Sequence, residues 1–252
     1  MPRPARKSIS GYCAGLLFFL VPGGVLAQGD GNSCITCHGT VSGVKYLEHD
    51  FLDWAQSVHA KTGVTCEACH GGNASAKDVQ GAHKGLKRST DKSSPVYFTR
   101  IPATCGACHQ AEFKAFRRSA HYKELERSGR GPNCVTCHGS MANHILAPRD
   151  LDQSCRLCHK QPTQAFAAIL ALNNATYAVT RLEKALADAR LRHIDAKAQE
   201  DAYQDLKKQD MHAREYWHTF KMQEVLNASQ EITKRVNTAI NELQLKEQQK
   251  SP

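Results

Sequence analysis

The sequence carries one five-residue pattern five times: Cys34-Ile35-Thr36-Cys37-His38, Cys66-Glu67-Ala68-Cys69-His70, Cys105-Gly106-Ala107-Cys108-His109, Cys134-Val135-Thr136-Cys137-His138 and Cys155-Arg156-Leu157-Cys158-His159. Two thiols two residues apart, followed directly by an imidazole, form the attachment pattern of c-type haem. The spacing lets both sulfurs reach the two vinyl groups of one porphyrin as thioethers. The adjacent histidine then swings under the iron as its proximal ligand. A lone Cys-x-x-Cys fits a zinc knuckle or a redox dithiol as well. Here every Cys-x-x-Cys is followed by His, and five knuckles do not pair off into four-ligand zinc sites. The expected cofactor is therefore five covalently bound haem c groups.

The chain has 252 residues and 11 cysteines. All cysteines but Cys13 lie in the motifs, so none is left for a structural disulfide. The net charge is +9 and the isoelectric point about 9.0, a balance that ordinarily raises nucleic acid or an anionic membrane as a partner. Arg3, Arg6 and Lys7 belong to the leader, however, and five haems bring about ten propionate charges. The basic excess reads as counter-charge, and no nucleic-acid partner is expected.

Residues 1–27 read as an export signal. A basic start precedes an apolar run through Leu16, Phe18 and Leu20, and Val25-Leu26-Ala27 offers a small-x-small cleavage pattern. Pro22, Gly23 and Gly24 interrupt the run, which is short for a membrane span. Membrane contact is expected only if the leader is retained. The expected location is the bacterial periplasm or the outer surface, because c-type haem is attached outside the cytoplasmic membrane.

Residues 28–162 form the expected pentahaem domain. They are poor in apolar residues, so the porphyrins must supply the core. An internal repeat runs through it. Trp54, Ser57 and His59 stand between the first two motifs, as Phe116, Ser119 and His121 stand between the third and fourth. A further histidine follows each unit, His83 and His144. His59, His121, His83 and His144 are the expected distal ligands, while His49 has no repeat partner. Lys77, Lys84, Lys87, Arg88, Arg117 and Arg118 read as propionate partners or as a docking patch. The span from Gly81 to Ser94 reads as a polar surface loop.

Residues 163–252 form the expected helical domain. Ala, Leu, Lys, Glu and Gln dominate, and Pro is absent between Pro162 and Pro252. Val179, Leu182, Leu186, Ile232, Val236, Ile240 and Leu243 fall at helical spacing. The pattern predicts two or three long helices with a break within 190–212, and Thr163 as the first cap. The fifth motif has no spare histidine close behind it, so a tail helix lying back across the haem domain is expected to supply His218. The fold class is thus mainly α: short helices and loops around five packed haems, then a long-helix bundle, with little or no sheet.

The five motifs, the Trp54-x-x-Ser57-x-His59 and Phe116-x-x-Ser119-x-His121 segments, and the tail Trp217-His218-Thr219-Phe220 resemble the multihaem cytochromes c of the nitrite reductase, hydroxylamine oxidoreductase and octahaem tetrathionate reductase superfamily. The resemblance implies a wire of bis-histidine haems, a tail histidine near His218 as a haem ligand, and a dimer contact through the C-terminal helices. The Cys-x-x-Cys-Lys catalytic site of ammonia-forming nitrite reductases has no counterpart here. The resemblance therefore implies wiring before catalysis, with redox proteins as partners. Two alternatives stay open. One is an oxidoreductase acting on a nitrogen or sulfur compound at one open haem, with Tyr177, Tyr203, Tyr216 and Arg214 as pocket residues. The other is a subunit of a cytochrome assembly.

Overall fold

The computed structural model describes residues 31–40, 51–141 and 153–250. The leader, Cys13, His49 and His144 lie outside the described residues. Among the described residues there is no strand. The first part is a succession of short helices: α1 (Ser33–His38), α2 (Phe51–Gln56), α3 (Val58–Lys61), α4 (Glu67–His70), α5 (Val79–Ala82), α6 (Ile101–Gly106), α7 (Gln110–Phe116), α8 (Ala120–Ser128) and α9 (Cys134–His138). Three long helices follow: α10 (Thr163–Leu191), α11 (Lys197–Trp217) and α12 (Met222–Lys250).

Caps, rather than length, define the short helices. Asn32 accepts from the Ile35 amide, Ser57 from Ala60, Asp78 from Gly81, Ser119 from Tyr122 and Asn133 from Thr136. Such a cap is worth about 1 kcal/mol, a large share of what a helix of one or two turns can hold. Helix α8 stops at Gly129, whose φ of 72° is left-handed and suits a residue without Cβ. Among the described residues, buried apolar side chains are few here: Trp54, Ala60, Pro102, Ala115, Phe116 and Leu125.

The tail has the apolar core that the first part lacks. Leu172, Val179, Leu182, Leu186, Leu206, Val225, Ile232, Val236 and Leu243 pack in one cluster. Helices α10, α11 and α12 run up, down and up, and the Lys246 and Lys250 ammonium groups reach the Asp195 and Arg192 carbonyls at 2.8 and 3.1 Å. These contacts cap open carbonyls at the far end of α10. Among the described residues no helix is long and apolar enough to cross a membrane.

Three details differ from the sequence expectations. The break within 190–212 occurs at 192–196, but a second lies at 218–221, where the extended apolar pattern conceals a turn. Thr163 is the first helical residue and not a cap; Pro162 holds the cap position and offers no side-chain bond. The expected loop from Gly81 to Ser94 begins inside α5 and ends on a fully buried serine, whose hydroxyl donates to the Lys87 carbonyl at 3.2 Å.

Candidate haem-binding motifs

Each motif works through a single helical turn. The amides of His70, His109 and His159 bond the carbonyls of Cys66, Cys105 and Cys155 at 2.9, 2.9 and 2.8 Å. Residues three and four apart in such a turn share a face. Both sulfurs and the imidazole of a motif thus project to one side, as attachment of one flat ligand requires. Among the described residues the ten motif cysteines form no disulfide. Burial pushes the Cys66 and Cys137 thiols up to about 11. Among the described residues no three His, Cys, Asp or Glu converge as a metal cluster, so the zinc alternative has no four-ligand site there.

The histidines outside the motifs meet the motif histidines in pairs. His38 faces His83 with ring centres 6.2 Å apart, and His109 faces His59 at 6.2 Å. His159 faces His121 at 5.9 Å, and His138 faces His218 at 6.2 Å. Metal–nitrogen bonds of about 2 Å, with each ring centre about 1.2 Å behind its nitrogen, put two imidazoles across one metal roughly 6.3 Å apart. The four distances match that span.

Local structure explains how these rings are held. Ser57 and Ser119, each 1% exposed, cap α3 and α8, and His59 and His121 stand two residues on, in the first helical turn. The repeated Ser-x-His is therefore a cap that aims an imidazole. The aromatic of each repeat is buried behind it. Trp54 Nε1 donates to the Val64 carbonyl at 2.9 Å, and Phe116 packs on Tyr122 and Phe220. His218 caps the end of α11, with Nδ1 3.2 Å from both the Arg214 and Glu215 carbonyls. Donation from Nδ1 leaves Nε2 as the free lone pair, the tautomer a metal ligand needs. Burial lowers the His121 and His218 imidazoles below their ordinary value, which favours the neutral form.

The arrangement differs from the sequence expectation at one point. His218 meets the fourth motif, not the fifth, and the fifth motif receives His121. The reason is packing: α11 descends against α7, and Phe220, at a φ of 59°, turns its ring edge-on to His121 at 4.2 Å. In the sequence Phe220 stood out only as part of the tail segment Trp217-His218-Thr219-Phe220. His212 is exposed beside Glu215 and takes no part. Of the proposed pocket residues, Tyr203 is buried in the bundle, Arg214 is paired with Asp210 at 3.3 Å, Tyr216 bonds Glu224, and Tyr177 is exposed.

A recess of about 460 Å³ opens beside the third motif, lined by Gly106, Gln110, Phe113, Lys114, Arg117 and Arg118. Its aromatic floor and three cations suit the edge and carboxylates of a porphyrin. Arg117 lies 5.8 Å over the Phe113 ring and Arg118 5.7 Å over Tyr216, which positions both charges. A Cβ at Gly106 would sit 2.3 Å from the Phe113 side chain, so any larger residue here must displace that ring or the backbone. One-sided thiols, ring spacing and recess all fit covalently held haem.

The chain is 28% identical over 147 residues to the C-type polyheme cytochrome OmcC of Geobacter sulfurreducens, a match covering 58% of this chain and 16% of that protein. It is 31% identical over 126 residues to the C-type polyheme cytochrome OmcB of the same organism, covering 46% of this chain and 15% of that protein. The chain spans about a sixth of the length of these relatives. No family model and no solved structure matches it. Its homologues are polyhaem c-type cytochromes, and multihaem cytochrome c is the class that its motifs and its relatives share.

Proposed function

We propose that this chain is an exported pentahaem cytochrome c that carries electrons between redox proteins through bis-histidine haems. The observation that carries the reading is the meeting of four motif histidines with four others at the span of one metal ion. Haem supplies a reversible one-electron couple when bound. The residues attach, ligate, bury and space it. His38 with His83, His109 with His59, His138 with His218 and His159 with His121 would hold the irons. His144, which lies outside the described residues, is a further distal candidate of the repeat. An iron held between two imidazoles would have no position for substrate, and this is what supports a carrier over an enzyme.

The superfamily resemblance supports wiring in the same way. Residues 1–27 act as the export signal, 28–162 as the haem domain and 163–252 as the helical domain, in the periplasm or at the outer surface. Exposed Phe166, Leu170 and Tyr177 along α10 support a homodimer contact through the tail.

The test is optical and magnetic. Purified holoprotein should show a c-type α-band on reduction and a pyridine haemochrome equivalent to five haems per chain. Low-temperature electron paramagnetic resonance should show low-spin ferric signals alone. A high-spin signal moved by nitrite or hydroxylamine would replace the carrier with an enzyme.

A further inference from the structure

Among the described residues two other than glycine have left-handed backbone, His193 at a φ of 54° and Phe220 at 59°. For a bulky side chain this conformation is an outlier that calls for a cause. At His193 the cause is ordinary. The residue follows α10, and the next amide, Ile194, closes the helix end on the Ala189 carbonyl at 2.9 Å. Phe220 follows α11 without that closure. The amide after it, Lys221, bonds the Thr219 hydroxyl at 3.3 Å instead of a carbonyl of α11.

What the strained backbone does achieve is the placement of a ring. Phe220 stands edge-on to His121 with ring centres 4.2 Å apart, and it backs onto Phe116 and Trp217 at 6.3 Å each. Phe116 is buried and itself packs on Tyr122, which leaves the Phe220 ring little room to retreat. His121 is the imidazole that needs such a neighbour. The Ser119 cap brings it to the right place on α8 but does not set its ring plane. Among the described residues its Nδ1 is buried without a hydrogen-bond partner. His218 is the opposite case, with Nδ1 at 3.2 Å from two carbonyls. Metal-binding imidazoles are ordinarily turned into place by such a bond. Without one, an imidazole rotates about its Cβ–Cγ bond unless something packs against it.

We propose that Phe220 is a positioning residue for the fifth haem: its ring fixes the plane of the His121 imidazole, the task that hydrogen bonds perform at His218. The inference rests on the haem reading above. One four-residue turn, 218–221, then serves two irons, by hydrogen bonds at His218 and by an aromatic contact two residues on. The two pairs differ accordingly. The rings of His138 and His218 lie 26° from parallel, and those of His121 and His159 are inclined by 53°.

The experiment reads the ring plane. In a low-spin ferric haem held by two imidazoles, the g-values of electron paramagnetic resonance follow the angle between the two ring planes. His121→Ala in the holoprotein removes one low-spin signal and so identifies that of the fifth haem. Phe220→Gly suits left-handed backbone and takes away only the ring. Phe220→Leu keeps apolar bulk without the flat ring, and decides by itself if the Gly variant does not fold. Both should shift the largest g-value of the fifth haem and leave the other signals in place, while Phe220→Tyr should restore the wild-type value. Leu182→Ala, which loosens the bundle at a distance, should leave that signal unmoved. An unshifted signal in the Gly and Leu variants overturns the proposal. So does a shift of all signals together, or one equally large in Leu182→Ala, since either marks a merely structural role. A His121→Ala protein that keeps every low-spin signal would sink the ligand pairing, and a wild type without a c-type band would sink the haem reading; the proposal falls with either.

Discussion

At the scale of residues, the site is a set of imidazoles whose orientation is fixed by small local devices. His218 holds Nδ1 against two carbonyls, so its Nε2 is aimed before any metal arrives. Replacing His218 with Ala should convert one haem from low-spin to high-spin while the pyridine haemochrome still counts five, because the thioethers are untouched. Gly106 is the other sharp case. Its Cβ position lies inside the contact distance of Phe113, so Gly106→Ala must displace an aromatic ring or the α6 backbone. Overpacking of this kind costs about 1–3 kcal/mol. A lowered thermal midpoint and a shifted potential of the third haem are the expected result, read by circular dichroism and voltammetry.

Elements of one or two turns cannot stand on helix propensity, and here caps and ligands hold them. Ser119→Ala removes the bond to the Tyr122 amide at 3.0 Å and should cost about 1 kcal/mol. The same change loosens His121, so faster binding of added cyanide or imidazole at one haem is expected by stopped-flow absorbance. Ser119→Asp, which can also cap, should restore the slow rate. The long helices follow other physics. Leu182 is fully buried among α10, α11 and α12, and Leu182→Ala should cost about 2–5 kcal/mol in chemical unfolding. Because α11 carries His218, the fourth haem should be the one whose spectrum responds.

Across the whole molecule, two kinds of core divide the stability. The tail has a conventional apolar cluster, and the first part has few buried apolar side chains. Without haem the two should part company. In a strain unable to attach haem, the apoprotein should keep the helical signal of the tail, while limited proteolysis cuts within 31–160 at least tenfold faster than in the holoprotein. Equal resistance of both parts would show that protein packing alone holds the first.

Attachment chemistry is local, and the sequence alone determined it. Cys-x-x-Cys-His is one helical turn, so its spacing dictates that two thiols and an imidazole share a face whatever surrounds them. The same holds for the tail, where Val179, Leu182, Leu186, Ile232, Val236, Ile240 and Leu243 are all buried as their periodicity requires. The Ser-x-His repeats were visible as a repeat, but that Ser57 and Ser119 cap helices is a property of the folded chain. Pairing is not local. His218 was expected at the fifth motif and stands at the fourth, because the descent of α11 onto α7 and the turn at Phe220 decide where the ring arrives. The meeting of His59 with His109 and of His121 with His159, and the second break at 218–221, likewise depend on contacts between distant segments. Only the packed tertiary structure decided these, because sequence spacing constrains a chain over a turn or two and packing constrains it everywhere else.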